Sequence, residues 1–315
     1  FLYYVGFLQI IVKSIAWIMS KTMKLSGAES LSAAGNIFLG PTEAPLLVKP
    51  YIKKMTQSEL MCLMTGGMAT IAGGVFAAYV ALLGGSDSEE SLKFATILLT
   101  ASIMNAPAGI VMSKIFQPEN VKNSINKNLD LSNEDLGSNA IHALAKGASD
   151  GLKLALNIAA MLLAFLAVVY MLNYFLEFFG DITTLNSWIN NFSDGQFDKL
   201  SMEFLLGQVF RVFAFMIGIN WNESALVGSL LGQKFVLNEF IAYLNLAEMK
   251  SAGFLSEKSI LISTYALCGF ANFSSIAIQI GGIGSMAPSR QKDISKLGLR
   301  ALFAATLATL LTGNI

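Results

Sequence analysis

Long apolar stretches separated by short polar segments run through most of the chain. A helix that spans a bilayer needs about 20 apolar residues, and such stretches recur at 1–23, 59–84, 92–116, 152–179, 258–283 and 297–313. A seventh apolar region, 201–247, is too long and too interrupted to form one simple span. The pattern predicts an all-α membrane protein, a polytopic helical bundle.

Two regions differ from plain spans. Residues 27–58 are small, polar and broken by prolines, and residues 201–247 contain GINWNES (218–224), a turn-like sequence between two apolar halves. Irregular backbone at membrane depth is tolerated only where it is buried in protein or lines a watery cavity. We therefore predict a re-entrant helical hairpin in each region.

The hairpins introduce two similar halves of opposite orientation. Each is followed by a span predicted to be broken, TGGMATIAGG (65–74) in the first half and CGFANFSSIAIQIGG (268–282) in the second, and then by another span. Lys49, Lys53 and Lys54 precede the second span, whereas loops 84–91 and 180–199 are acidic. By the positive-inside rule, the first hairpin is predicted to open to the cytoplasm and the second to the outside. Inverted repeats with discontinuous helices indicate a secondary transporter with sites near the midplane.

Composition agrees with a membrane protein and argues against nucleic-acid binding. Hydrophobic residues make up 54% of the chain and charged residues 13%, about half the charged fraction of a soluble domain. Lysine plus arginine number 21, as do the acids, so no basic face is available for nucleic acid. Lipid and small molecules are the expected partners. Cys62 and Cys268 lie in apolar stretches and are expected to pack there as free thiols.

Two glutamates lie in the predicted hairpins, Glu43 in the first and Glu239 in the second. A charged residue at membrane depth costs about 2.5 to 3.5 kcal/mol on insertion scales, so it indicates a partner or a function. Both are candidate site residues. The alternative is that each only caps a hairpin helix by accepting backbone N–H bonds.

The broken spans supply further candidates. Asn272, Ser274 and Ser275 lie where the second span is predicted to unwind, and their side chains could bind freed backbone groups or a ligand. Ser274 could equally hold two helices together. In the first span, freed carbonyls and the Thr70 hydroxyl could coordinate sodium by oxygen alone, although glycines in spans more often mark close packing. The single histidine, His142, is expected in a solvated loop.

Several long motifs resemble those of the concentrative nucleoside transporters. GNIFLGPTEAPLLVKPY (35–51) is similar to the first-hairpin motif of that family, GNIFxGQTEAPL followed by a basic residue and proline. GGMATIAG (66–73), GSLLGQKFVLNEFIAY (228–243) and ALCGFANFSSIAIQIGG (266–282) resemble its other motifs in the same order. The likeness covers nearly the whole chain, and implies a nucleoside symporter rather than an enzyme.

The resemblance implies a role for residues at matching positions. Thr42 and Glu43 would hold the base of a nucleoside, Glu239, Asn272 and Ser275 would hold its ribose, and Val75 and Phe270 would line the site with apolar surface. The coupling sodium would be bound by the carbonyls of Asn36, Leu39 and Ile71 and the hydroxyl of Thr70. Pro41 stands where the family usually has glutamine, which removes an amide that donates and accepts hydrogen bonds.

The resemblance also implies a domain division and an assembly. A homotrimer in the plasma or inner membrane is expected, with helices upstream of this chain. The segments are a scaffold helix (1–24), a first transport repeat (25–116), a cytoplasmic connector (117–151) whose run 124–139 is in part an amphipathic helix, a scaffold helix with external loop (152–200), and a second transport repeat (201–315).

Two other functions remain open at this stage. A proton symporter of the same fold would couple to a titrating glutamate instead of sodium. An intramembrane enzyme could use the two glutamates as acid and base, although the sequence contains neither GxGD nor HExxH.

Overall fold

A computed structural model describes residues 4–120, 139–193 and 195–314. Apart from one 3₁₀ turn, Pro288–Arg290, the regular structure of these residues is α-helical. The helices are α1 (Phe7–Met23), α2 (Gly27–Asn36), α3 (Ala44–Leu47), α4 (Lys49–Ile52), α5 (Gln57–Ala69), α6 (Gly73–Gly84), α7 (Ser88–Phe116), α8 (Ala140–Ile182), α9 (Leu185–Phe192), α10 (Met202–Met216), α11 (Trp221–Val236), α12 (Glu239–Ser251), α13 (Glu257–Leu267), α14 (Phe273–Met286) and α15 (Gln291–Gly313).

The first hairpin consists of α2, a tip and the short helices α3 and α4. Ser26 and Glu29 form a capping box at the start of α2, which satisfies backbone N–H groups that have no partner within the helix. A Cβ added to Gly35 would overlap the Leu47 side chain, so α2 and α3 pack closely side by side. A larger residue at position 35 would therefore displace the Leu47 side chain.

The two broken spans meet at their breaks. Helix α5 ends at Ala69 and α6 begins at Gly73, while α13 ends at Leu267 and α14 begins at Phe273. The Phe270 N–H donates to the Thr70 carbonyl at 3.3 Å, and a Cβ added to Gly269 would lie 2.6 Å from the Ala69 carbonyl oxygen. Both predicted broken spans are therefore present, and their irregular backbones contact each other.

The second hairpin has its tip later in the sequence than predicted. The predicted turn in GINWNES exists, because α10 and α11 are bent by 116° there. The chain then turns again at Leu237 and Asn238: Asn245 Nδ2 donates to Gln233 Oε1, and these residues would be about 18 Å apart in a continuous helix. Asn238 caps α12 by accepting from the Ile241 N–H at 3.0 Å. The hairpin with Glu239 at its tip is thus α11–α12. The prediction of a single turn, at GINWNES, was therefore wrong.

The segment before the long helix α8 also differs from expectation. Residues 121–138, which include most of the predicted amphipathic run, lie outside the described residues. Residues 140–151 are helical, and His142 lies in the first turn of α8 rather than in a loop. The reason is local, because the Asn139 side chain caps the helix by accepting from the His142 N–H at 2.8 Å. The predicted external loop likewise contains a short helix, α9.

Several helical units of the described residues have the length and apolar character of a span. They are Gln57–Gly84, Ser88–Phe116 and Pro288–Gly313, and the bent pair α10–α11 makes a fourth when its two helices are counted as one span. Helices α5, α7 and α15 pack against one another and bury small and apolar residues such as Met64 and Ala305. Both cysteines are buried and free, as predicted.

Candidate functional site

A cavity of about 550 Å³ opens where the two hairpin tips and the two breaks converge. It is bordered by the first hairpin tip, the start of α6, α8, the second hairpin tip and the start of α14. The lining includes every residue that the sequence predicts to bind substrate: Pro41, Thr42, Glu43, Val75, Glu239, Phe270, Asn272 and Ser275. The structure therefore brings together eight residues that are spread over more than 230 positions of the chain.

Glu239 is the centre of a hydrogen-bond network in this cavity. It is 5% exposed, and its two carboxylate oxygens accept from different side chains. Tyr79 Oη donates to Oε1 and Asn272 Nδ2 donates to Oε2, both at 2.9 Å. Because Asn238 provides the cap of α12, Glu239 is free from the capping role that was the alternative explanation for it.

The Asn272 side chain joins this network to the start of α14. Its Oδ1 accepts from the Ser275 N–H at 2.9 Å and from the Ser275 hydroxyl at 3.0 Å. The Ser274 hydroxyl donates to the same oxygen at 2.7 Å, so it bonds within its own element and not to another helix. Asn272 thus caps α14 with one end of its amide and orients Glu239 with the other.

Glu43 differs from Glu239 in its surroundings. It precedes α3, makes no capping bond with its side chain, and is exposed within the cavity. Capping therefore does not explain either glutamate. One carboxylate of the site is held by protein groups, and the other is available to a ligand.

Glycines allow the first hairpin tip to enter between two helices. A Cβ on Gly67 would lie 3.3 Å from Pro41 Cα, and a Cβ on Gly282 would lie 3.1 Å from Thr42 Cγ2. Gly67 belongs to α5 and Gly282 to α14, so the tip is wedged between the two repeats. Gly67 therefore allows close packing, which is the usual role of glycines in membrane spans.

The predicted sodium ligands lie where this tip meets the first break. Asn36 ends α2, Leu39 follows in the tip, and Thr70 and Ile71 form the break. Within the described chain, the carbonyls of Asn36, Leu39 and Ile71 accept no backbone hydrogen bond outside the helices. The Asn36 side chain is 1% exposed, and its Nδ2 and Oδ1 have no partner.

These residues fit a hard cation of low charge. Their oxygens are carbonyl and hydroxyl oxygens, the ligand type that such cations prefer. The described residues contain no group of three or more histidine, cysteine, aspartate or glutamate side chains that could hold a metal. Thr70 Oγ1 donates to the Gly66 carbonyl at 3.0 Å, which leaves its lone pairs for a ligand.

Tyr79 is a site residue that the sequence analysis missed. It lies in the apolar run FAAYVALL of α6, is 0% exposed, and stacks on Tyr243 with ring centroids 4.5 Å apart. In the sequence it looks like an ordinary residue of a span. The available signal was its hydroxyl, because a buried phenol requires a hydrogen-bond partner.

Comparison with known proteins identifies relatives along the whole chain. Residues 97–315 match the family described as "Na+ dependent nucleoside transporter C-terminus", and residues 1–86 match one described as "Nucleoside recognition". An uncharacterised transporter of Haemophilus influenzae is 41% identical, and the alignment covers 100% of this chain and 71% of that protein. Mouse solute carrier family 28 member 3 is 42% identical over 100% of this chain, which spans 44% of the mouse protein.

Solved structures agree with the helical arrangement. The transporter CNTnw in an inward-facing substrate-bound state matches with a TM-score of 0.86 and 38% identity, over 99% of this chain and 70% of that one. A CNTnw variant in an outward-facing state matches with a TM-score of 0.84 and 39% identity, over 99% and 69%. The predicted fold class, a helical bundle with hairpins and broken helices, is confirmed.

Proposed function

This chain belongs to the Na⁺-dependent nucleoside transporter family, and from that premise we propose that it carries nucleosides across a membrane together with sodium. The resemblance found in the sequence is thereby confirmed, as is the prediction of a transporter rather than an enzyme.

The cavity supports a nucleoside as the substrate because its lining combines two kinds of surface. Glu239, Asn272 and Ser275 present carboxylate, amide and hydroxyl groups, which suit the vicinal hydroxyls of a ribose. Val75 and Phe270 present apolar surface, which suits the faces of a base. A nucleoside combines these two chemistries in one small molecule.

The base is recognised from the first hairpin tip, by Thr42 and Glu43. Pro41 lines the cavity with a ring that has no side-chain amide and no backbone N–H. One absent hydrogen bond changes affinity by about 1 kcal/mol, which alters base preference but leaves ribose binding intact. A competition panel of purine and pyrimidine nucleosides against labelled uridine uptake measures this preference directly.

Sodium is the proposed coupling ion, held by Asn36, Leu39, Thr70 and Ile71. Its positive charge would join the first hairpin tip to the first break. Because that tip also carries Thr42 and Glu43, ordering the tip would raise nucleoside affinity. By reciprocity, bound nucleoside would raise sodium affinity by the same factor.

We assign residues 25–116 and 201–315 to a moving transport domain, and residues 1–24 and 152–200 to a scaffold. Relatives solved in inward-facing and outward-facing states support alternating access. We further propose that three subunits assemble into a homotrimer, and that lipid of the plasma or inner membrane surrounds this trimer.

The observation that carries this proposal is the convergence of the eight predicted substrate residues on one cavity. The test is uptake of labelled uridine into proteoliposomes at fixed pH, with and without an inward sodium gradient. Accumulation that requires the sodium gradient supports the proposal. Uptake driven by a proton gradient alone would replace sodium with the proton, and release of free base would indicate an enzyme.

A further inference from the structure

Lys234 is a buried lysine in the second hairpin that forms no ion pair with an acidic side chain of the described residues. It lies in the last turn of α11 and is 2% exposed. Its ammonium donates to the Ala266 carbonyl at 2.9 Å and to the Thr309 hydroxyl at 2.8 Å. None of the ion pairs among the described residues includes it. A charge buried in this way is expensive, so its retention indicates a function.

The two acceptors form an environment suited to a cation. Ala266 lies in the last turn of α13, where free carbonyls make the end of a helix partly negative. The Thr309 hydroxyl donates to the Thr306 carbonyl at 3.0 Å, so its lone pairs are directed towards the ammonium. Lys234 therefore provides a positive charge at the end of the first half of the second broken span.

The repeats make this position comparable with the predicted sodium site. In the first repeat, sodium would join the end of α2, the first hairpin helix, to the end of α5, the first half of the broken span. In the second repeat, the Lys234 ammonium joins the end of α11 to the end of α13. The same two helix ends would be connected by a free sodium ion in the first repeat, and are connected by the Lys234 ammonium in the second.

We propose that Lys234 serves as a tethered cation that takes, in the second repeat, the place that the coupling ion takes in the first. The ammonium is a compact point charge with three donors on a flexible stem, and it is permanently present at this break. It holds the end of α11 against the second break, and so positions the tip that carries Glu239 next to Asn272. Lys234 is a positioning residue, since it does not line the cavity. The comparison with sodium rests on the proposed function, but the test below does not require transport.

The test uses Cys268, which lies at the second break and is buried, as a reporter in a Cys62→Ser background. In Lys234→Ala, loss of the ammonium frees the break, and the rate of maleimide labelling of Cys268 is expected to rise about thirtyfold, as two lost hydrogen bonds imply. Methylammonium, a small cation with N–H donors, should return the rate towards that of the parent. Tetramethylammonium, which has no N–H donor, should not.

A milder pair of variants covers the case in which Lys234→Ala does not fold. Thr309→Val removes one acceptor of the ammonium and should raise Cys268 labelling several-fold, whereas Thr306→Val on the same helix should not, because its hydroxyl bonds only the Leu302 carbonyl. Nucleoside affinity is then measured in the same proteins. If the labelling rate of Cys268 is unchanged in Thr309→Val, or in a folded Lys234→Ala, the proposal that Lys234 serves as a tethered cation is overturned. Absence of nucleoside binding by the parent protein would refute the proposed function instead.

Discussion

The Glu239 carboxylate is oriented by side chains from both repeats, Tyr79 from the first and Asn272 from the second. A carboxylate has about four lone-pair sites, so these two donors leave capacity for the two hydroxyls of a ribose. The arrangement fixes the carboxylate before substrate arrives. Less conformational freedom is then lost on binding, which favours affinity.

Replacement of Glu239 by glutamine tests the ribose contact. Glutamine keeps the size but has one acceptor oxygen in place of two, so it cannot serve Tyr79, Asn272 and two ribose hydroxyls together. Hydrogen bonds to a charged group contribute about 1.5 to 3 kcal/mol, and uridine affinity should therefore fall at least tenfold. Equilibrium binding to the purified protein measures this, with the unfolding temperature as a check on folding. Normal binding and uptake of uridine by this variant would contradict the assignment.

Tyr79→Phe tests whether the hydrogen bond that Tyr79 donates to Glu239 contributes to nucleoside affinity. The variant loses the bond of 2.9 Å to Oε1 but keeps the ring, and nucleoside affinity should fall about fivefold for a loss near 1 kcal/mol. Tyr243→Phe is the matched control, because the hydroxyl of this stacked ring donates to the Thr264 carbonyl instead. The control should lower thermal stability without changing affinity. Equal effects of the two variants on affinity would show that Tyr79 acts only through packing.

Thr70→Val tests the predicted cation ligand. Valine has the same shape but no oxygen, so the sodium concentration for half-maximal uptake should rise about fivefold for one lost contact. Thr100→Val is the control, since its hydroxyl only bonds the Thr96 carbonyl within α7. A sodium dependence identical to the parent in Thr70→Val would remove Thr70 from the site.

The broken helices and hairpin tips depend on close contacts that only small residues allow. Gly67 and Gly282 admit the first hairpin tip between α5 and α14, and Gly269 admits one break against the other. The positions of these glycines therefore determine how near the two half-sites approach. The cavity follows from this packing as much as from the polar residues in it.

Gly67→Ala should displace the first hairpin tip. Its Cβ would lie 2.7 Å from Gln279 Nε2 and 3.3 Å from Pro41 Cα, and overpacking of this kind typically costs about 1 to 3 kcal/mol. Both sodium and nucleoside affinity should therefore decrease. Gly74→Ala, where nothing lies within 4 Å of the new atom, should behave like the parent. Loss of function in both variants alike would indicate a general intolerance of side chains in this span.

Helices and breaks could be predicted from the sequence wherever the signal is local. Glycines, serines and Asn272 mark the breaks, and long apolar runs mark helices such as α7 and α15. The second hairpin tip was misplaced because VLNEF contains neither glycine nor proline, and its local signal is Asn238, which caps the start of α12. Tyr79 could not be found from local pattern, because its partner, Glu239, lies 160 residues further along the chain.

The helices of both inverted repeats come together so that each repeat supplies half of the candidate site. The first contributes the tip with Thr42 and Glu43 and the predicted sodium ligands, and the second contributes Glu239, Asn272 and Ser275. Hydrogen bonds such as that from Phe270 to Thr70 join the halves. A ligand that touches both halves is therefore able to stabilise one arrangement of the whole over another.

The most direct measurement is the affinity of the purified protein for uridine compared with 2′,3′-dideoxyuridine, in the parent and in Glu239→Gln. If Glu239 accepts hydrogen bonds from the vicinal hydroxyls of the ribose, the dideoxy compound should bind the parent at least about tenfold more weakly than uridine. This difference in affinity should largely disappear in Glu239→Gln. Equal affinity of the parent for the two compounds would contradict a ribose held by Glu239, and with it the proposed nucleoside site.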